Sequence, residues 1–156
     1  MRIQDVLKRE AIIDDLQSRT KEGILEELVV PVAQIAGVDP EELVRVLMER
    51  ERLGSTGIGG GIGIPHGKLK NLDSLVLGFG LSREGVDFES IDKKDVRIVF
   101  LLVGPENNPG LHIKLLSRIS RLMSNEDLRE ELLECKSAED ALNLLQEEEN
   151  YYYDLD

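Results

Sequence analysis

Apolar residues at Ile24, Leu25, Leu28, Val29, Val32 and Ile35 recur with a 3.6-residue period and predict a helix from Ser18 or Thr20 to Gly37. Pro31 lies inside it. A proline there removes one hydrogen bond and crowds the carbonyl of Glu27, so a kink or a helix split in two is expected. Upstream, Ile3, Val6 and Leu7 suggest a short helix within the first nine residues. Downstream, Asp39-Pro40-Glu41-Glu42 is a helix start: Asp39 accepts from free N–H groups, Pro40 fits the first turn, and the acids suit the positive helix end. Leu43, Val44, Val46 and Leu47 form the buried face of that helix, which is expected to reach about Arg52 before Gly54 stops it.

Farther along, the pattern changes. Leu75 to Leu81 and Val96 to Val103 read as strands, and the second, Val-Arg-Ile-Val-Phe-Leu-Leu-Val, is apolar enough to be buried on both faces. Val86 and Phe88 alternate with polar neighbours in a short strand between them, and Gly104-Pro105 closes the long one. Helical periodicity returns at Leu111, Leu115, Leu116, Ile119, Leu122 and Met123. Asn125 caps a further helix, and Ser137-Ala138-Glu139-Asp140, close to a capping box, opens a last one through Leu142 and Leu145. Helices, then strands, then helices predict an α/β sandwich, a mixed sheet covered by helices.

A length of 156 residues fits one domain, large enough to bury roughly two-thirds of its unfolded surface without metals or disulfides. Lys and Arg number 19 against 31 Asp and Glu, and the resulting charge of −12 argues against a nucleic-acid binder or a protein held on anionic lipid. Much of that charge is terminal. Residues 137–156 hold seven acids and no Lys or Arg, so 149–156, with Tyr151-Tyr152-Tyr153, is expected to be a solvated acidic tail. Cys135 is the single cysteine, and with only His66 and His112 it makes no metal-ligand set of ordinary spacing. No apolar run approaches the ~20 residues that span a bilayer, and the N-terminus does not lead into a signal peptide, so a cytoplasmic protein without membrane insertion is expected.

Residues 54–68, Gly-Ser-Thr-Gly-Ile-Gly-Gly-Gly-Ile-Gly-Ile-Pro-His-Gly-Lys, hold seven of the 14 glycines. Gly57, Gly59, Gly61 and Gly63 alternate with Ile58, Ile62 and Ile64. An extended chain here would bury the isoleucines and leave a bare face for another backbone, a ligand or a partner protein. Neither nucleotide-binding glycine template fits, and no Gly-x-Ser-x-Gly elbow is present. Pro65 and Gly67 flank His66, orienting its ring and clearing space around it. Neutral imidazole can act as proton acceptor or nucleophile. His112 lies at the expected start of the helix from Leu111, where an anion is favoured, although a capping or exposed histidine is an equal reading by itself. Residues 44–70 carry Arg45, Arg50, Arg52, Lys68 and Lys70 against Glu49 and Glu51, a net +3 in an acidic chain.

The run from Arg50 through Gly54-Ser55-Thr56 to Pro65-His66-Gly67-Lys68 closely resembles the active-site signature of fructose/mannitol-type enzyme IIA domains (type 2) of the bacterial phosphoenolpyruvate-dependent phosphotransferase system, including their nitrogen-regulatory relatives. Val86-Asp87-Phe88, Ile91-Asp92, the apolar strand and Leu111-His112-Ile113-Lys114 follow the family's order, so the resemblance covers residues 1–148. It implies the type 2 IIA fold, a single domain with a mixed sheet of about five strands sandwiched by helices. It also implies a phosphotransferase component in which His66 accepts a phosphoryl group from a histidine phosphocarrier protein (HPr or a nitrogen-type homologue) and relays it to a cysteine of a IIB protein, or uses it as a signal to regulatory targets. His112 corresponds to the family's second active-site histidine and Arg50 to its arginine. Ser55 and Thr56 would add contacts to phosphate, with Gly59, Gly61 and Gly67 at the docking face. No cofactor and no metal are implied. With no permease or IIB segment within these residues, a regulatory output is the expected one and a sugar-specific IIA component the alternative. An anion-binding domain that forms no covalent intermediate is a third possibility.

Overall fold

In the computed structural model, which describes residues 1–153, the elements run in the order α1 (Ile3–Val6), β1 (Leu7–Ile13), α2 (Lys21–Ala36), α3 (Pro40–Arg52), β2 (Gly57–Gly59), β3 (Ile62–Gly63), β4 (His66–Leu69), β5 (Val76–Val86), β6 (Val96–Pro105), α4 (Pro109–Met123), α5 (Glu126–Glu134) and α6 (Ala138–Tyr153). Six strands form one mixed sheet in the order β1-β5-β6-β3-β2, with β4 also paired to β6. This is one strand more than expected. The pairs β1–β5, β3–β6 and β4–β6 are parallel, whereas β5–β6 and β2–β3 are antiparallel.

The apolar run of β6 explains the layering. Ile98, Phe100 and Leu102 point to one face, where they meet Leu115 and Ile119 of α4, Leu128 of α5 and Leu145 of α6. Val99, Leu101 and Val103 point to the other and meet Leu28 and Val32 of α2 and Leu43 and Leu47 of α3. A strand apolar on both sides thus sits at the centre of a three-layer sandwich.

Several elements depart from the sequence reading. The first nine residues form only one helical turn before the chain becomes β1, because a turn that short gains little by itself and pairing with β5 satisfies the backbone. Helix α2 runs unbroken through Pro31. Leu28, Val29 and Val32 around it are fully buried, and at about 1.5–3 kcal/mol per side chain their burial outweighs the roughly 3 kcal/mol cost of an interior proline. Val86 belongs to the end of β5, where it pairs with Val96 after a register shift, and does not start a separate strand.

The acidic end is also different. Helix α6 continues through residues 149–153, so these are not a solvated tail; residues 154–156 lie outside the described part. Glu149 is fully buried and accepts from the backbone N–H groups of Ile3 at 2.5 Å and Gln4 at 3.0 Å, satisfying donors that α1 leaves free. Among the described residues no helix is long and apolar enough to cross a membrane.

Candidate active site

Strand β4 carries His66 at the sheet edge, opposite Leu102 of β6. The next residue lets a helix come close: a Cβ on Gly67 would lie 2.8 Å from Cγ1 of Val46, so α3 rests directly on the strand backbone. One turn beyond Val46, Arg50 thereby enters the cavity that contains His66. The end of β6 seats the third group. A Cβ on Gly104 would lie 3.1 Å from Nδ1 of His112 and 2.6 Å from Leu75, so the ring packs against a backbone that only glycine provides. His112 lies in the first turns of α4, as expected, but is 3% exposed rather than a surface cap.

The structure therefore brings His66, Arg50 and His112 together. They line one cavity of about 610 Å³, and the imidazole centroids are 5.2 Å apart with a 57° angle between the rings. Leu53 and Ile113, 85% and 63% exposed, flank its mouth. Nδ1 of His66 is 2.7 Å from the carbonyl oxygen of Ile64. A carbonyl only accepts, so Nδ1 bears the proton and Nε2 keeps its lone pair. Neither nitrogen of His112 has a hydrogen-bond partner among the described residues. Arg50 donates from one terminal nitrogen to the carbonyl of Gly54 at 2.8 Å, which leaves most of its fork for another acceptor.

Burial holds both imidazoles below the ordinary histidine range. For His66 desolvation is the largest cause; the Ile64 carbonyl opposes it, Arg50 and Lys68 lower the value further, and Glu51 raises it. His112 is brought down to about 4 by desolvation, His66 and Lys68. Both rings are thus neutral at pH 7. In the unfolded chain they titrate near 6.5, so from there down to about pH 4 the unfolded state binds more protons and folding stability falls with pH. A histidine-ring NMR titration is expected to show His112 titrating near pH 4 and His66 below 6.5. Two normal midpoints at 6.5 would contradict the burial shown here.

The glycine segment is not the single extended face expected from its period. Gly59, Gly60 and Gly61 have φ of 95°, 67° and 81°, and they reverse the chain between antiparallel β2 and β3. Ile62 and Ile64 are buried, but Ile58 is 47% exposed. Gly57 packs against Ser90 and Gly63 against the ring of Phe88, so the close neighbours at those two glycines come from this chain itself. Gly59 and Gly61 belong to the turn and Gly67 to the α3 contact. Ser55 donates to the carbonyl of Phe88 and accepts from Gly57 N–H, while Thr56, 4% exposed, donates its hydroxyl to Glu51 at 2.5 Å. Both hydroxyl protons are held by protein acceptors, so these residues fix the connection between α3 and β2, and neither lines the cavity around His66. Glu51, 7% exposed with Lys21 at 3.0 Å, was legible only as an acid in a basic stretch. Nothing in the spacing pairs it with a lysine thirty residues away.

The family profile described as "Phosphoenolpyruvate-dependent sugar phosphotransferase system, EIIA 2" matches residues 5–148. The chain is 37% identical over 145 residues to a nitrogen regulatory protein of Bradyrhizobium diazoefficiens, covering 93% of this chain and 95% of that protein. Among solved structures, nitrogen regulatory protein IIA-Ntr of Neisseria meningitidis superposes with a TM-score of 0.87 at 32% identity, over 92% of this chain and 98% of that one. Enzyme IIA mannitol of Escherichia coli, solved in complex with phosphorylated enzyme IIB mannitol, gives a TM-score of 0.78 at 25% identity, over 90% and 99% of the two chains.

Proposed function

The chain belongs to the EIIA 2 family of the phosphoenolpyruvate-dependent sugar phosphotransferase system, and from that premise we propose that His66 is the residue that carries the phosphoryl group. The observation that carries this reading is the Nδ1 hydrogen bond to Ile64, which leaves the lone pair on Nε2 of a ring standing beside Arg50 and His112. The donor is a histidine phosphocarrier protein, HPr or its nitrogen-type homologue. The Nε2 lone pair attacks phosphorus, the phosphorus–nitrogen bond of the donor breaks, and its electrons return to the donor imidazole. Negative charge gathers on the three transferring oxygens. Arg50 meets them with paired charged donors, and the neutral ring of His112 supplies one N–H. Exposed Leu53 and Ile113 give the incoming protein an apolar rim.

Delivery follows by the reverse geometry: a thiolate of a IIB protein attacks the phosphorus on His66 and the His66–phosphorus bond breaks. The likeness to nitrogen regulatory proteins favours an output in which the phosphorylation state of His66 signals to regulatory target proteins. The likeness to enzyme IIA mannitol in complex with a phosphorylated IIB protein supports a second reading, a sugar-specific IIA component supplying a permease. Either reading places the protein in the cytoplasm.

Incubation with labelled phosphoenolpyruvate, enzyme I and the phosphocarrier protein is expected to give one acid-labile phosphoryl group per chain. Absence of label would overturn the reading. Onward transfer to a sugar-specific IIB protein selects the second output, and partner binding that changes with phosphorylation without such transfer selects the first.

A further inference from the structure

A buried ion pair lies behind the site. Lys21, at the start of α2, donates to Oε1 of Glu51 at 3.0 Å, and the two side chains are 13% and 2% exposed. Glu51 in turn takes both donors of Thr56, the backbone N–H at 3.2 Å on Oε1 and the hydroxyl at 2.5 Å on Oε2. The carbonyl of Thr56 accepts the N–H of Ile64 at 3.0 Å, and the carbonyl of Ile64 accepts Nδ1–H of His66 at 2.7 Å. These four residues and the nucleophilic ring form one unbroken series of hydrogen bonds.

A buried ion pair is weak support for stability, because desolvation of the two charges consumes most of their attraction and apolar side chains of the same size do as well. What an apolar pair cannot do is hold both Thr56 donors at a fixed angle. Thr56 sits where α3 hands over to the glycine segment, and its position sets Ile64, the residue between β3 and β4 whose carbonyl orients His66. Lys21 is further fixed by the ring of Phe88, 5.1 Å from its ammonium, and Ser55 donates to the carbonyl of the same Phe88. The turn is thereby held at two consecutive residues.

We propose that Lys21, Glu51 and Thr56 are positioning residues that act through Ile64 to keep Nδ1 of His66 protonated and Nε2 turned toward the phosphoryl donor. This rests on the reading of His66 as the phosphoryl carrier. None of the three touches the phosphoryl group. Their contribution is to the orientation of the nucleophile, so its loss appears in kcat and in the ring tautomer, and not in the affinity for the carrier protein.

The test uses Glu51→Gln, which removes the charge that answers Lys21, and Thr56→Val, which keeps the ion pair and deletes the hydroxyl. Thr56→Ser serves as the conservative rescue. Long-range nitrogen–proton correlation of the unphosphorylated protein is expected to show Nδ1–H at His66 in wild type and Thr56→Ser. A mixed tautomer is expected in the other two. The rate of phosphoryl acceptance is expected to fall about tenfold in kcat with KM for the carrier within about twofold, and to recover in Thr56→Ser. Variants that melt earlier yet keep the wild-type tautomer and kcat would show a purely structural network and overturn the proposal. If the wild-type protein takes no label at all, the functional reading fails separately, because the tautomer is read without any donor.

Discussion

Replacement of His66 by alanine is expected to remove phosphoryl incorporation altogether, a loss of at least about a thousandfold in initial rate. The other histidine and the cysteine are poorly placed to substitute. His112 shares the cavity, but it is 3% exposed, and its ring is seated against the backbone at Gly104. Cys135 stands at the end of α5, away from the cavity-lining residues, and its thiol is pushed up by burial and by Asp140, so it is a poor nucleophile near neutrality. The substitution costs little in folding, because His66 is half-buried and gives up a single hydrogen bond, worth about 1 kcal/mol. Label incorporation measured beside a thermal melt separates the two effects. Normal labelling of a folded His66→Ala protein would move the nucleophile elsewhere.

Arg50→Ala gives the second largest effect, a fall of about a hundredfold to a thousandfold in kcat, the range seen when a fixed donor to a developing oxyanion is removed. The reason is timing. Charge spreads over the transferring oxygens in the transition state, so a guanidinium fixed beside His66 acts more on the barrier than on carrier binding, and KM changes little. Arg50→Lys is expected to restore only part of the rate, since a point charge cannot reproduce a planar fork. The same change moves the titration of His66. Arg50 lowers its pKa, so the alanine variant raises it, and at pH 6.5 more of the nucleophile is protonated and inactive. Rates at pH 7.5 and 6.5 therefore diverge more in Arg50→Ala than in wild type. Equal kcat in wild type and both variants would remove Arg50 from the reaction.

Elements whose signal is local were legible. Asp39 accepts from the N–H of Glu41, Asn125 from that of Leu128 and Ser137 from that of Asp140, and each helix starts where its cap stands. The double-sided burial of β6 from Ile98 onward followed from its nearly continuous apolar run. Legibility ended where distant residues had to meet. The three residues at the start of β1 could have stayed helical, and only the open side of β5 made them a strand. Pro31 reads as a break unless the burial around it is known. Glu149 reads as one more acid in a solvated run, and it becomes a buried acceptor only because α1 brings free N–H groups to it.

The candidate site divides along the same line. The flanking of His66 by Pro65 and Gly67 and the run Gly54-Ser55-Thr56 after Arg50 are local, and the amino-acid order alone pointed to the family that the profile match shows and to His66 as the candidate nucleophile. The joining of Arg50, His66 and His112 was decided by tertiary packing: α3 approaches β4 across Gly67, and α4 returns over Gly104. So was the inward turn of Ser55 and Thr56, whose hydroxyls go to Phe88 and Glu51. The physical reason is range. Caps, periodicity and turn chemistry act over a few residues and leave their mark in the order of side chains. Burial, ring tautomer and the pairing of Lys21 with Glu51 depend on which surfaces come together across the sheet.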